Sequence, residues 1–280
     1  MNVFAAVPKP ARATIRRDYR AFLHARDGVM DLANRTLSKR ETAMARFLAP
    51  GQRDIDRELF ERQYERFDAR RATSPEALLL LALVKVNAAE AWGVNRTFDG
   101  ALDRAKHSDD DTEVVLLVEE FYHTKILLSS ARLYGLDVAA AARPHAGLRA
   151  LVSGIATLPE ALARPLTLAG EIIGVLTFLN LLHVTRDVLN DAPSVRDAIE
   201  ERLVEILIDE LGHVSFQRLH MGRVGLAQTK WLLPIVASGL SSAIPEVRAL
   251  GAMPRSPVAA IDALDAATLP EVVRRNAFIA

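Results

Sequence analysis

The frame Glu-x-x-His occurs twice in this chain, each time directly preceded by a second acid: Glu119-Glu120-Phe121-Tyr122-His123 and Asp209-Glu210-Leu211-Gly212-His213. Both copies lie in long apolar stretches of helical character. Glu120 stands among Val114, Val115, Leu116, Leu117, Phe121 and Ile126, and Glu210 follows Leu203, Val204, Ile206, Leu207 and Ile208. An ionised carboxylate is costly in such surroundings unless it is paired or coordinated. Two lone acids, Glu90 and Glu171, sit in similarly apolar segments upstream of each copy. Carboxylates and imidazoles in this order are what a helix bundle needs to hold two metal ions in its core.

The spacing supports that geometry. Residues three apart on an α-helix lie about 60° from each other around the axis, so Glu120 and His123 can reach one ion together, as can Glu210 and His213. Glu171 lies 20 residues before Asp191 and Glu210 lies 19 after it, so antiparallel packing about a turn at Asp191 brings the two level. Glu90 and Glu120 close in the same way if the first helix runs to about Arg104 before a turn at Asp109-Asp110-Asp111. The expected ligands are Glu90, Glu120, His123, Glu171, Glu210 and His213. Two divalent cations would balance the four glutamates, and mixed carboxylate and imidazole ligation suits iron or manganese. A ligating imidazole usually gives its other N–H to a carboxylate. Glu119 is therefore expected to hold His213, and Asp209 to hold His123.

Beyond the acids, Gly174, Val175 and Phe178 follow Glu171 on its own face of the helix. With Leu116, Leu117 and Phe121 they line an apolar substrate pocket in one reading and form ordinary core in another, with equal support. Tyr122 points away from Glu120. His183 and His220 are expected to be core or rim residues, His24, His107 and His145 surface ones, and Arg186 the partner of an internal acid.

Half of the 280 residues are hydrophobic and a quarter charged, enough for a sizeable core. The 35 basic and 35 acidic residues balance, which argues against a nucleic-acid-binding surface. The absence of cysteine removes disulfides, zinc-thiolate sites, Fe–S clusters and thiol catalysis together, and fits a reducing cytoplasm. The first residues carry no signal-peptide pattern. Residues 166–184 come nearest to a membrane span, but Glu171, Asn180 and His183 predict a buried central helix instead.

The chain reads as all-α and as one domain, without internal repeats. Two or three amphipathic helices are expected over about 11–71, a four-helix bundle over about 74–222, and short helices over 226–280, where prolines recur. In the bundle, Ser74-Pro75-Glu76 starts a first helix running through Glu90. Asp110 and Glu113 open a second that Gly135 stops. A third spans about Arg164 to Leu189, and a fourth runs from Pro193 past His213 toward Gly222.

The set Glu90, Glu119-Glu120-x-x-His123, Glu171, Asp209-Glu210-x-x-His213 resembles the ferritin-like di-iron carboxylate superfamily over roughly Ala77 to His220. Its acid-Glu-x-x-His form is similar to the oxygen-activating branch: acyl-carrier-protein desaturases, arylamine N-oxygenases, aldehyde-deformylating oxygenases and multicomponent monooxygenases. Where arylamine N-oxygenases carry an additional histidine, this chain has Ile206. The resemblance implies a ferritin-like bundle holding two iron ions, with manganese or a mixed pair also compatible. It implies a non-haem oxidase or oxygenase that uses O2 to hydroxylate, desaturate or N-oxygenate a small apolar or amine-bearing substrate, free or carrier-bound. An external ferredoxin or reductase would supply electrons, since the chain has no flavin-, nicotinamide- or cluster-binding motif. Homodimerisation is expected by the same analogy. Two other classes compete: iron handling or peroxide scavenging as in ferritins and rubrerythrins, and a metal-free helical binding protein whose acids pair with arginines.

Overall fold

A computed structural model of the chain describes residues 2–48, 53–71, 73–86, 88–106, 111–138 and 158–280, with the side chains of 88–93, 96, 104 and 160 outside the described set. The described residues are mostly helical, with almost no strand. In order they form α1 (Lys9–Asp27), a minimal hairpin of β1 (Met30–Asp31) and β2 (Thr36–Leu37), then α2 (Ser38–Met44), α3 (Arg57–Glu65), α4 (Pro75–Val86), α5 (Ala88–Lys106) and α6 (Thr112–Arg132). After the undescribed connection come α7 (Glu160–Val188), α8 (Pro193–Leu219), α9 (Arg223–Ala243), α10 (Pro245–Ala249), α11 (Pro257–Ala263) and α12 (Glu271–Asn276).

Four of these helices close a ring: α4 packs on α6, α6 on α8, α8 on α7, and α7 back on α4. The α7–α8 contact is the most extensive, because residues 189–192 form a short turn that lays the two helices side by side. Burial explains why α6 and α8 show almost no amphipathic pattern. Both are covered on nearly every side, and their buried residues include the acids and histidines of the two Glu-x-x-His frames. Helix α7 is long and apolar enough to cross a membrane, yet 72% of its most apolar window is buried inside the protein. Its polar positions serve the fold, with Asn180 donating to the Ala252 carbonyl at 2.9 Å.

Helix α1 lies against α8 and α6 and buries Tyr19, Leu23 and Asp27, spaced one helical turn apart. Arginines stitch the N-terminal segment to α8: Arg12 donates to the Met221 carbonyl, Arg218 to that of Ala5, and Arg202 to that of Phe47. Tyr122 points away from the acids of its own helix, giving its hydroxyl proton to Glu41 at 2.6 Å and accepting from the Leu37 amide.

Several boundaries differ from expectation. The helical run through Glu90 is described as α4 and α5 on either side of residue 87, which lies outside the described residues. The β1–β2 hairpin was not foreseen; Asp31 builds it locally by accepting from the Ala33 and Asn34 amides, and Arg35 adopts φ +52°. Asp110 lies outside the described residues, and the N-cap of α6 is Asp111, whose carboxylate is 3.0 Å from Arg20 instead of capping the helix. Gly135, at φ +66°, does follow α6. The C-terminal region does not consist only of short helices, since α9 runs for 21 residues through Pro234. That proline is on the exposed face, where water can satisfy the carbonyl its missing N–H leaves.

Close approach of α1 and α8 depends on Gly212, where an added Cβ would meet the Tyr19 ring and hydroxyl at 3.0 Å. Gly170 in α7 has open space at the same position. We expect Gly212→Ala to lower stability by about 1–3 kcal/mol through overpacking, and Gly170→Ala to raise it by up to about 1 kcal/mol. Denaturant unfolding of the two variants checks both signs.

Candidate metal centre

The two imidazoles sit face to face at the middle of the ring of helices, His123 from α6 and His213 from α8, with centroids 5.7 Å apart and planes inclined by 27°. Each uses its two nitrogens in opposite directions. The Nε2 of His123 is 3.0 Å from Asp209 Oδ2, and the Nε2 of His213 is 3.0 Å from Glu119 Oε2. Each pairing crosses between helices, so the acid four residues ahead of a histidine orients the histidine of the other copy. These are the two pairs expected from the sequence.

The Nδ1 atoms face inward, onto carboxylates. His123 Nδ1 lies 3.2 Å from Glu120 Oε2 and 3.4 Å from Glu210 Oε1. His213 Nδ1 lies 2.9 Å from Glu120 Oε1 and 3.5 Å from Glu171 Oε2. Glu120 thus turns one oxygen to each imidazole. Ligand atoms of Glu120, Glu171, Glu210 and His213 all lie within 4.8 Å of one another. That suits oxygens and nitrogens sharing an ion at bonds of about 2 Å. Five of the six expected ligands therefore converge. Glu90, the sixth, is carried by α5, and its side chain lies outside the described residues.

The donor set fits a cation on chemical grounds. An imidazole that gives its Nε2 proton to a carboxylate presents a lone pair at Nδ1. Here both Nδ1 atoms are buried and face carboxylate oxygens that are themselves electron-rich. Only positive charge between them, a metal ion or additional protons, makes this arrangement favourable.

Behind the imidazoles lies a second buried layer that sequence reasoning missed. Arg40, from α2, is hydrogen-bonded to Asp27 (2.6 Å), Glu205 (2.6 Å), Asp209 (2.5 Å) and Glu119 (3.3 Å). Arg26, from α1, pairs with Asp209 and with Glu205 at 3.1 Å. Glu205 precedes Asp209 by one turn of α8, a spacing visible in the sequence. Nothing in the pattern marked Arg26 or Arg40 among the many arginines of the outer helices.

These contacts set the electrostatics. Burial pushes Glu119 toward the neutral form, but the hydrogen bond from His213 and the charges of His213, Arg40 and Arg26 prevail and hold it at about 2. Burial likewise opposes ionisation of Glu120, and the two histidines pull it far below the ordinary value. His213 is raised well above its usual range, because hydrogen bonds to Glu119, Glu120 and Glu171 outweigh its desolvation. Asp27 is raised to about 7 by burial and by the Glu119 charge, against the pull of Arg40 and Arg26.

The expected pocket residues are core or half-buried. Leu116, Val175 and Phe178 are buried, while Leu117 and Phe121 pack partly exposed against the same core. Gly174 does not open space: a Cβ there would lie 3.1 Å from Glu210 Oε2, so the glycine makes room for that carboxylate. A described cleft of about 540 Å³ lies elsewhere, bordered by Phe22, Arg26, Glu205, Ile208 and Val272, and none of the six lines it. Arg186 pairs with Glu200 at 2.9 Å, His183 and His24 are exposed, and His220 packs edge-on against Phe216. His107 and His145 lie outside the described residues.

No protein-family model matches this chain, and no curated protein or solved structure does so either. A buried cluster of glutamates and histidine able to hold a metal ion is what the geometry itself establishes.

Two expectations follow. Gly174→Ala should displace the Glu210 carboxylate and weaken metal retention while leaving the helical circular-dichroism spectrum intact; undiminished metal binding would show that Glu210 has freedom to move. Glu119 ionises at about 2 in the folded chain against an ordinary 4.5. Its contribution to stability is complete above the ordinary value and is lost as pH falls toward 2. Acid unfolding of chelator-treated protein should therefore be shallower in Glu119→Gln than in the wild type between these limits. Identical steepness would assign the acid transition to other groups.

Proposed function

We propose that the chain is a di-metal oxidoreductase of the ferritin-like di-iron carboxylate type, an oxidase or oxygenase that uses O2 to oxidise a small organic substrate. One observation carries the reading. Two imidazoles from antiparallel helices present their Nδ1 atoms to a shared glutamate, while each Nε2 is held by an acid from the opposite helix. The ring of α4, α6, α8 and α7 supports the ferritin-like architecture.

His123 with Glu120 and Glu210 would hold one ion, and His213 with Glu120 and Glu171 the other. Glu90 completes the first set on the sequence pattern. When bound, a pair of redox-active ions supplies the electrons that reduce dioxygen. The chain's own residues do the rest. Asp209 and Glu119 fix which nitrogen of each ring faces inward and hold the ring plane. Val175, Phe178, Leu116 and Ile126 belong to the buried apolar core of the same helices, and a core of that kind excludes water and strengthens the charge interactions inside it. Electrons arrive from a separate ferredoxin or reductase, and iron is the first metal to test, with manganese the alternative.

The deciding measurement is metal content and oxygen uptake of protein purified from iron-supplemented cells. We expect about two ions per chain, as the bundle sites of this type hold, with oxygen uptake dependent on substrate. Glu120→Ala should abolish retention of both ions, since Glu120 faces both histidines. Asp209→Asn should weaken retention roughly 10–100-fold. Protein that binds no iron or manganese would sink the reading, and iron loading far beyond two per chain would move it to storage.

A further inference from the structure

We infer that Arg40 is a positioning residue for both halves of the metal centre at once. A single nitrogen, Nη2, reaches Asp209 Oδ1 at 2.5 Å and Glu119 Oε1 at 3.3 Å. The second oxygen of each of those carboxylates holds one imidazole: Asp209 Oδ2 holds His123, and Glu119 Oε2 holds His213, both at 3.0 Å. One guanidinium nitrogen therefore closes a continuous hydrogen-bonded chain from the first imidazole to the second, passing behind the metal-facing side.

The remaining nitrogens of Arg40 show that this nitrogen is held in place. Nε donates to Asp27 and Nη1 to Glu205, each at 2.6 Å, so the planar fork is gripped on three sides and its side chain is only 4% exposed. A guanidinium carries five donors in a fixed plane, whereas an ammonium is a rotating point charge that cannot span separate acceptors with the same rigidity. Arg26 is not equivalent. It pairs with Asp209 and Glu205 but stays 4.0 Å from Glu119, so it grips one half of the centre. Arg40 comes from α2, outside the ring of helices. The orientation of both ligating histidines thus depends on docking of the N-terminal segment.

The inference rests on the di-metal reading only for its consequence in metal binding; the imidazole geometry can be read without metal. The experiment uses full-length, chelator-treated protein labelled with 15N-histidine, and compares Arg40→Lys, Arg26→Lys and Asp209→Asn with the wild type. Imidazole nitrogen resonances report tautomer and hydrogen bonding directly. Arg40→Lys should shift the Nε2 signals of both His123 and His213 at preserved helix content. Asp209→Asn should shift mainly that of His123, and Arg26→Lys should leave His213 unchanged. Titration of the same samples with Fe(II) should then show both sites weakened in Arg40→Lys, roughly 10–100-fold. Unchanged imidazole signals in Arg40→Lys, or a shift in one ring alone, would overturn the inference. Should Arg40→Lys fail to fold, Glu119→Gln carries the test: transmission across the bridge predicts a His123 shift as well as a His213 shift, and a change confined to His213 overturns it. Normal imidazole coupling in protein that binds no metal would instead remove the di-metal reading and leave the bridge standing.

Discussion

An excess of buried negative charge is the constraint from which the rest of this structure follows. Glu120 and Glu210 share a water-poor core, with Glu171 partly covered beside them, and Asp209, Glu119 and Asp27 lie just behind. The described guanidiniums reaching that second group are those of Arg26 and Arg40. The acids facing the inner side of the imidazoles must find their positive charge in the histidines or in something that binds there. Burial alone would drive such carboxylates neutral. Glu119 and Glu120 are instead held strongly ionised, and His213 strongly protonated, by one another. The proton on His213 helps to keep these acids together, and a cation bound there would displace it. The fold is arranged to hold charge, and metal is one way of supplying its opposite.

This constraint also explains the secondary structure. A helix that buries acids at its centre cannot face solvent with them, so α6 and α8 are covered on nearly every side by each other and by α1, α4, α5, α7 and α12. Enclosure erases the amphipathic stripe that ordinarily betrays a helix in sequence, while the outer α1 keeps one. Glycine then appears where enclosure leaves no volume: Gly212 under the Tyr19 ring, and Gly174 against the Glu210 carboxylate.

How much of this was legible follows from which interactions are local in sequence. The Glu-x-x-His spacing is a property of one helix, so the convergence of Glu120 with His123 and of Glu210 with His213 could be read directly. The level of Glu171 against Glu210 followed from a short turn, which is nearly local. The crossed pairs Asp209–His123 and Glu119–His213 could also be read, because any acid beside an antiparallel histidine has few other partners. Arg40 could not. It lies 79 residues from Glu119 and 169 from Asp209, and its position is set by a hairpin at Asp31 that no hydrophobic period announces. What Gly174 makes room for was not legible either, because a missing side chain in sequence is silent about which neighbour fills the gap.

The buried arginine network argues for its own purpose when weighed against simpler alternatives. Replacing a buried ion cluster by well-packed apolar residues is often neutral or stabilising, because desolvation offsets the Coulombic gain. Stability therefore gives no reason to place Arg40 among four acids at 4% exposure. A network of this kind does one thing that leucines cannot, which is to specify direction. Asp209 and Glu119 each have one oxygen committed to a guanidinium and the other to an imidazole, so neither carboxylate can rotate without breaking a charged hydrogen bond. Rings fixed in this way keep their inward nitrogens aimed at Glu120. Preorganisation of that order would serve a site whose ligand geometry matters, and it gives arginines from α1 and α2 a reason to reach into the helices that carry the two histidines.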